Sequence, residues 1–178
     1  KNKEEEEKKK EEEEKKKKSY NKLIMIGDSI TRGISEEVSE NIFPNSIIDG
    51  QISRQLYQAV EIAEQYKEYD SSNTAVIFQL GTNGFFTEDQ MEELIKVFPK
   101  SDKYFLTVFV NQNWEKPVND LLISTANKYE NVYIIDWYNY IKDNEEYLEP
   151  DQTHVTYKGS EVLLQFIKDN LKKQYVVN

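Results

Sequence analysis

From Tyr20 onward the chain alternates short apolar runs with longer amphipathic stretches, and this alternation restricts the fold more than any other feature. The runs Lys22–Ile26, Ser46–Asp49, Thr74–Leu80, Lys103–Val110 and Val132–Ile135 are rich in Ile, Val, Phe and Tyr and are bounded by turn residues. A strand that is apolar through its middle must be covered on both faces. The stretches between them, near Thr31–Glu40, Ser53–Tyr66, Thr87–Phe98 and Pro117–Tyr129, read as helices, with a last one from about Thr156 to Lys172. "TEDQ" at Thr87–Gln90 is a capping box, and Pro117 suits a first helical turn. Strict alternation of strand and helix gives a parallel sheet with helices on both sides.

The expected fold class is therefore α/β, a flavodoxin-like three-layer α/β/α sandwich around a five-stranded parallel sheet. In such sheets ligands bind outside the carboxyl ends of the strands, near the switch in strand order. The first eighteen residues, "KNKEEEEKKKEEEEKKKK", cannot join a core; residues 1–19 read as a charged linker or solvated helix and residues 20–178 as one domain. Beyond that tract fourteen basic and twenty-five acidic residues remain, which disfavours nucleic acid or an anionic membrane surface as partner. The chain has no cysteine, so thiolate nucleophiles and zinc-thiolate sites are excluded, and with a single histidine no metal site is expected. No run approaches the ~18 apolar residues of a membrane span. The chain does not begin with methionine and reads as a fragment or processed form.

Several polar signals fall just after expected strands. Gly27-Asp28-Ser29 follows the first, "DGQISRQ" (Asp49–Gln55) the second and "GTNG" (Gly81–Gly84) the third, while "DQTH" (Asp151–His154) precedes the last helix. Each has an ordinary reading. Ser29 can cap a helix, Asn83-Gly84 can be a turn, and an isolated Asp-x-x-His is most often a surface histidine beside a loop carboxylate. Each also has a chemical one. A serine hydroxyl needs a base to become a nucleophile, and His154 is the only imidazole available. Asp151 can fix its tautomer, and Asn83 with a backbone N–H of Ser29 can stabilise an oxyanion.

Taken in order, Ser29, Asn83, Asp151 and His154 resemble the SGNH, or GDSL-type, hydrolase superfamily through "IGDSI", "LGTNG" and "DQTH". The resemblance runs from about Leu23 to Lys172. It implies a flavodoxin-like fold, a catalytic triad of Ser29, His154 and Asp151, and an oxyanion hole that includes Ser29 and Asn83. The family's oxyanion glycine has no direct counterpart after the second strand; Ser53, ahead of Arg54, stands nearest its place.

More narrowly, "IIDGQISRQ", "LGTNGFFTEDQ", "NVYIIDWYNY" and "THVTYKG" resemble the extracellular SGNH domain of Gram-positive peptidoglycan O-acetyltransferases. That resemblance implies acetyl transfer through an acetyl-serine onto the C6 hydroxyl of muramoyl residues, with no cofactor. It also implies a cell-wall glycan partner, an extracellular location, and an acetyl donor delivered by a membrane acyltransferase domain absent from this chain. Where family members often carry a proline-arginine pair, this chain reads Asn111-Gln112-Asn113, so Asn111 and the following Trp114 are candidate substrate contacts. The same triad serves a carbohydrate acetylesterase, a general esterase or a transferase for another wall glycan. A wall-binding module without turnover is the remaining alternative.

Overall fold

The structure is a computed structural model and describes residues 2–177. The charged tract forms one helix, α1 (Asn2–Lys17), whose described side chains are exposed. Its blocks of Glu and Lys put opposite charges at i,i+4, which suits a helix with solvated side chains. The central sheet contains β2 (Lys22–Gly27), β3 (Ile47–Gly50), β4 (Thr74–Gln79), β5 (Asp102–Leu106) and β6 (Val132–Ile135), all parallel, in the order β3-β2-β4-β5-β6. This is the expected five-stranded α/β sandwich. The chain leaves β2 toward one edge and β4 toward the other, so the crevice between their carboxyl ends is the topological switch point.

Alternate residues of each strand feed opposite faces. Ile24, Ile26, Val76, Phe78 and Phe105 pack under α4 (Ala59–Glu64), α5 (Glu88–Val97) and α6 (Glu115–Ala126). Leu23, Met25, Ala75, Ile77, Tyr104 and Leu106 pack under α3 (Glu36–Ile42), α7 (Trp137–Ile141) and α8 (Tyr157–Asp169). A short parallel pair, β1 (Ser19–Tyr20) with β7 (Gln174–Tyr175), ties the chain ends of the domain together.

Three elements differ from the sequence reading. The stretch Thr31–Glu40 is not one helix: α2 (Ser29–Arg32) ends at Gly33, and Ser35 caps α3 by accepting from the Val38 N–H. The stretch Ser53–Tyr66 is a loop followed by a 3-10 turn at Leu56–Gln58 and then α4. The strand expected over Lys103–Val110 stops at Leu106, because its partner β6 stops at Ile135. Beyond that point side chains of α6 replace the ladder. Asn119 accepts from the Val108 N–H at 2.8 Å, and Glu115 accepts from the Val110 N–H at 2.7 Å.

Candidate active site

The turn after β2 is built from beneath. Asp28 caps α2 by accepting the Ile30 N–H at 3.0 Å, which directs Ser29 outward as the first helical residue. Below the turn lies Gln79, the buried last residue of β4. Its Oε1 accepts from the Asp28 N–H at 3.2 Å, the Thr31 N–H at 3.2 Å and the Thr31 hydroxyl at 2.8 Å. Glycine is required at position 27, since a Cβ there would sit 1.9 Å from Thr31 Oγ1. Burial raises the pKa of the Asp28 carboxyl, with the Ile30 amide and the nearby side chains of Thr82 and Gln79 opposing the rise.

The loop after β3 is anchored by Arg54, which is 4% exposed. Its guanidinium donates to the carbonyls of Gly27 and Asp49, each at 3.0 Å, and to Asp49 Oδ1 at 3.0 Å. The loop is thereby tied to the end of the nucleophile strand. Arg54 N–H closes a turn onto Gln51 O at 3.2 Å. Ser53, by contrast, has φ 64°, in the left-handed region glycine favours, and its N–H has no acceptor among the described residues. Asn83 Nδ2 donates to Arg54 O at 3.2 Å, while Gln55 Nε2 donates to Asn83 O at 2.7 Å. The loops after β3 and β4 are thus sewn to each other.

The acid–base pair comes from the loop before α8. Its ends are held by a bridge between Leu148 and Val155 and by Glu149 N–H donating to His154 O at 2.8 Å. Gln152, at φ 58°, turns the chain back so that Asp151 meets the imidazole. Asp151 Oδ2 lies 2.6 Å from His154 Nδ1, and Oδ1 accepts the Thr153 and His154 amides, each at 3.0 Å. Partial burial pushes the Asp151 carboxyl up, but these amides and the imidazole outweigh it and hold the pKa below the ordinary carboxylate value. His154 Nε2 stands 2.7 Å from Ser29 Oγ. Residues 125 positions apart therefore form one chain of hydrogen bonds, hydroxyl to imidazole to carboxylate, at the switch point.

No family model matches the chain. It is 38% identical over 151 residues to a Bacillus subtilis (strain 168) protein named as a peptidoglycan O-acetyltransferase, YrhL, a match covering 85% of this chain and 24% of that protein. The chain spans about a quarter of the length of the curated relatives it matches. Among solved structures, the C-terminal catalytic domain of Streptococcus pneumoniae peptidoglycan O-acetyltransferase A superposes with TM-score 0.71 at 18% identity, covering 89% of this chain and 99% of that one. A lipolytic G-D-S-L family protein from Veillonella parvula superposes with TM-score 0.69 at 16% identity, covering 84% and 97%. The fold of the chain is that of these solved structures.

The structure brings Ser29, Asp151 and His154 together and sets Ser53 and Asn83 on adjoining loops. Trp114 is half-buried, donates its indole N–H to Thr82 O at 3.1 Å, and meets the exposed Phe85 edge-on. Its ring therefore fixes the loop after β4, and Phe85 is the aromatic left facing solvent. Asn111 is exposed on the loop after β5 and makes no hydrogen bond to the other candidate residues. Sequence reasoning missed Gln79, Thr31 and the anchoring role of Arg54. Gln79 carried a signal, being the one polar residue in the apolar run "AVIFQL".

Proposed function

We propose that the SGNH domain transfers acetyl groups through an acetyl-serine to a cell-wall glycan, the C6 hydroxyl of peptidoglycan muramoyl residues. The observation that carries the reading is the Ser29–His154–Asp151 chain at 2.7 and 2.6 Å, in a sequence 38% identical to a protein named as a peptidoglycan O-acetyltransferase. Ser29 Oγ attacks the acetyl carbonyl while His154 Nε2 takes its proton. The Asp151 carboxylate stabilises the imidazolium that forms. The N–H groups of Ser29 and Ser53 and the side-chain amide of Asn83 hold the oxyanion, each donor being worth about 3 kcal/mol of barrier. His154 returns the proton to the leaving group, then takes the proton of the acceptor hydroxyl as that oxygen attacks the acetyl-serine. The ester to Ser29 Oγ breaks and His154 gives the proton back to Ser29. The reading includes an extracellular placement and an acetyl donor supplied by a membrane acyltransferase part of the protein outside this chain. Among the described residues no helix is long and apolar enough to cross a membrane.

A second reading is favoured by the openness of the site. The side chains of His154 and Asp151 are 43% and 51% exposed, so water reaches the acyl-enzyme freely and the domain can act as an acetylesterase. A time course with a chromogenic acetyl ester, with and without glycan acceptor, separates the two. Acetylated acceptor with hydrolysis falling in step supports transfer. Ester cleavage with no acceptor ever acetylated supports the esterase. No acetyl-enzyme by mass spectrometry sinks both.

A further inference from the structure

The chain has twenty-three basic residues but only two arginines, Arg32 and Arg54, and both line one groove of about 460 Å³ beside the nucleophile turn. Its other walls are Asp49, Gly50, Gln51 and Ile52. The two arginines are in different states. Arg54 is buried and paired with Asp49, whose second oxygen accepts the Tyr66 hydroxyl at 2.6 Å, so both oxygens of that carboxylate are engaged. Arg32 is exposed, and its guanidinium makes no hydrogen bond or ion pair among the described residues. The groove therefore has one uncompensated positive charge in a chain of net charge −10.

Its position is fixed. Arg32 stands three residues after Ser29 on the same short helix, and its backbone lies so close to Gly50 that a Cβ there would meet Arg32 N at 2.1 Å. The wall formed by Gln51 and Ile52 leads directly into Ser53. A neighbouring groove of about 300 Å³ shares Arg32 and Gly50 but carries Glu36 and Glu40, so an anion is favoured only on the Arg54 side. A planar guanidinium with free donors binds a carboxylate in bidentate fashion, as lysine cannot.

We propose that this groove is a carboxylate site for the acceptor glycan, with Arg32 selecting acidic sugars over neutral ones. It rests on the transferase reading for its substrate class. On a muramoyl acceptor the carboxylate is that of the lactyl group or, where a peptide is attached, of the peptide. Binding to Ser29→Ala protein, followed by NMR, tests the site without turnover. The probes are N-acetylglucosaminyl-N-acetylmuramic acid, the same disaccharide carrying a peptide, and neutral chitobiose. Arg32→Gln should weaken the acidic probes about tenfold relative to chitobiose, and Arg32→Lys should recover part of the loss. A response by the peptide-bearing probe alone assigns the site to the peptide carboxylate. Equal weakening of all three probes, or of none, overturns the proposal. Acetyl transfer is measured beside it. If no acceptor is acetylated while the charge preference remains, the transferase reading falls and the carboxylate site stands.

Discussion

The nucleophile and its base are held in opposite ways. Beneath Ser29 the supporting groups are buried: Asp28 is 0% exposed, Thr31 1%, and Gln79 and Arg54 4% each. They are joined by hydrogen bonds among residues from β2, α2, β4 and the loop after β3, brought together only by the fold. On the other side, Asp151 and His154 sit three residues apart in one solvated turn. Their alignment comes from local backbone bonds and one left-handed residue. Buried polar groups tolerate no lost partner, whereas exposed ones are screened and replaced by water. Substitution beneath Ser29 should therefore change stability and activity together, and substitution in the turn should change activity alone.

Ser29→Ala gives the largest effect. Loss of the nucleophile should lower ester turnover by about 10⁴-fold or more and abolish the acetyl-enzyme, with unfolding unchanged. Residual acetylation of the variant would mean that another residue is the nucleophile. Next comes Asp151→Asn, which keeps the shape of the turn but cannot stabilise the imidazolium. Turnover should fall about 10²- to 10⁴-fold with the midpoint of urea unfolding nearly fixed. A large loss of stability would show that the turn is not the independent unit described above.

Gln79→Leu attacks the buried side. It removes the acceptor of the Thr31 hydroxyl and Thr31 N–H and leaves Asp28 N–H with Gln79 O alone. At about 1–3 kcal/mol for each buried donor left unpaired, the folded state should lose about 2–6 kcal/mol. Turnover of the remaining folded protein should fall as well, because the turn carrying Ser29 is loosened. Unchanged stability in urea would remove Gln79 from its supporting role.

The same division decides what could be read from the sequence. Ser29 and Asn83 stand in short motifs at strand ends, and Asp151 and His154 in one before the last helix, where chemistry and local pattern coincide. Gln79, Thr31 and Arg54 act through partners 27 to 51 positions away, and apart from the polar Gln79 inside an apolar run nothing local marks them. The parallel sheet was legible because its strands are apolar on both faces. The end of β5 was not, since Thr107–Val110 is as apolar as the strand and stops pairing only because β6 is shorter. The break between α2 and α3 did have a local sign, in Gly33 and in Ser35 followed by two glutamates.

Asp28→Asn sharpens the comparison with the smallest effect. The Asn side-chain oxygen can still accept the Ile30 N–H, so the cap survives while the buried charge is removed. Burial raises the Asp28 pKa in the folded state above its unfolded value. Between those two values the folded protein holds the proton more often than the unfolded chain. Stability from this group is therefore present below the unfolded carboxylate pKa and is lost as pH rises through the raised folded value. The turn's carboxylate, Asp151, has the opposite sign: its lowered pKa adds stability that is lost as pH falls, and exposure keeps that contribution small. Urea unfolding of wild type and Asp28→Asn across the acidic to neutral range should diverge as pH rises, with the variant the more stable at neutral pH. Parallel curves would mean that the buried carboxyl is already compensated, and the strict contrast between the two halves of the site would fail at that residue.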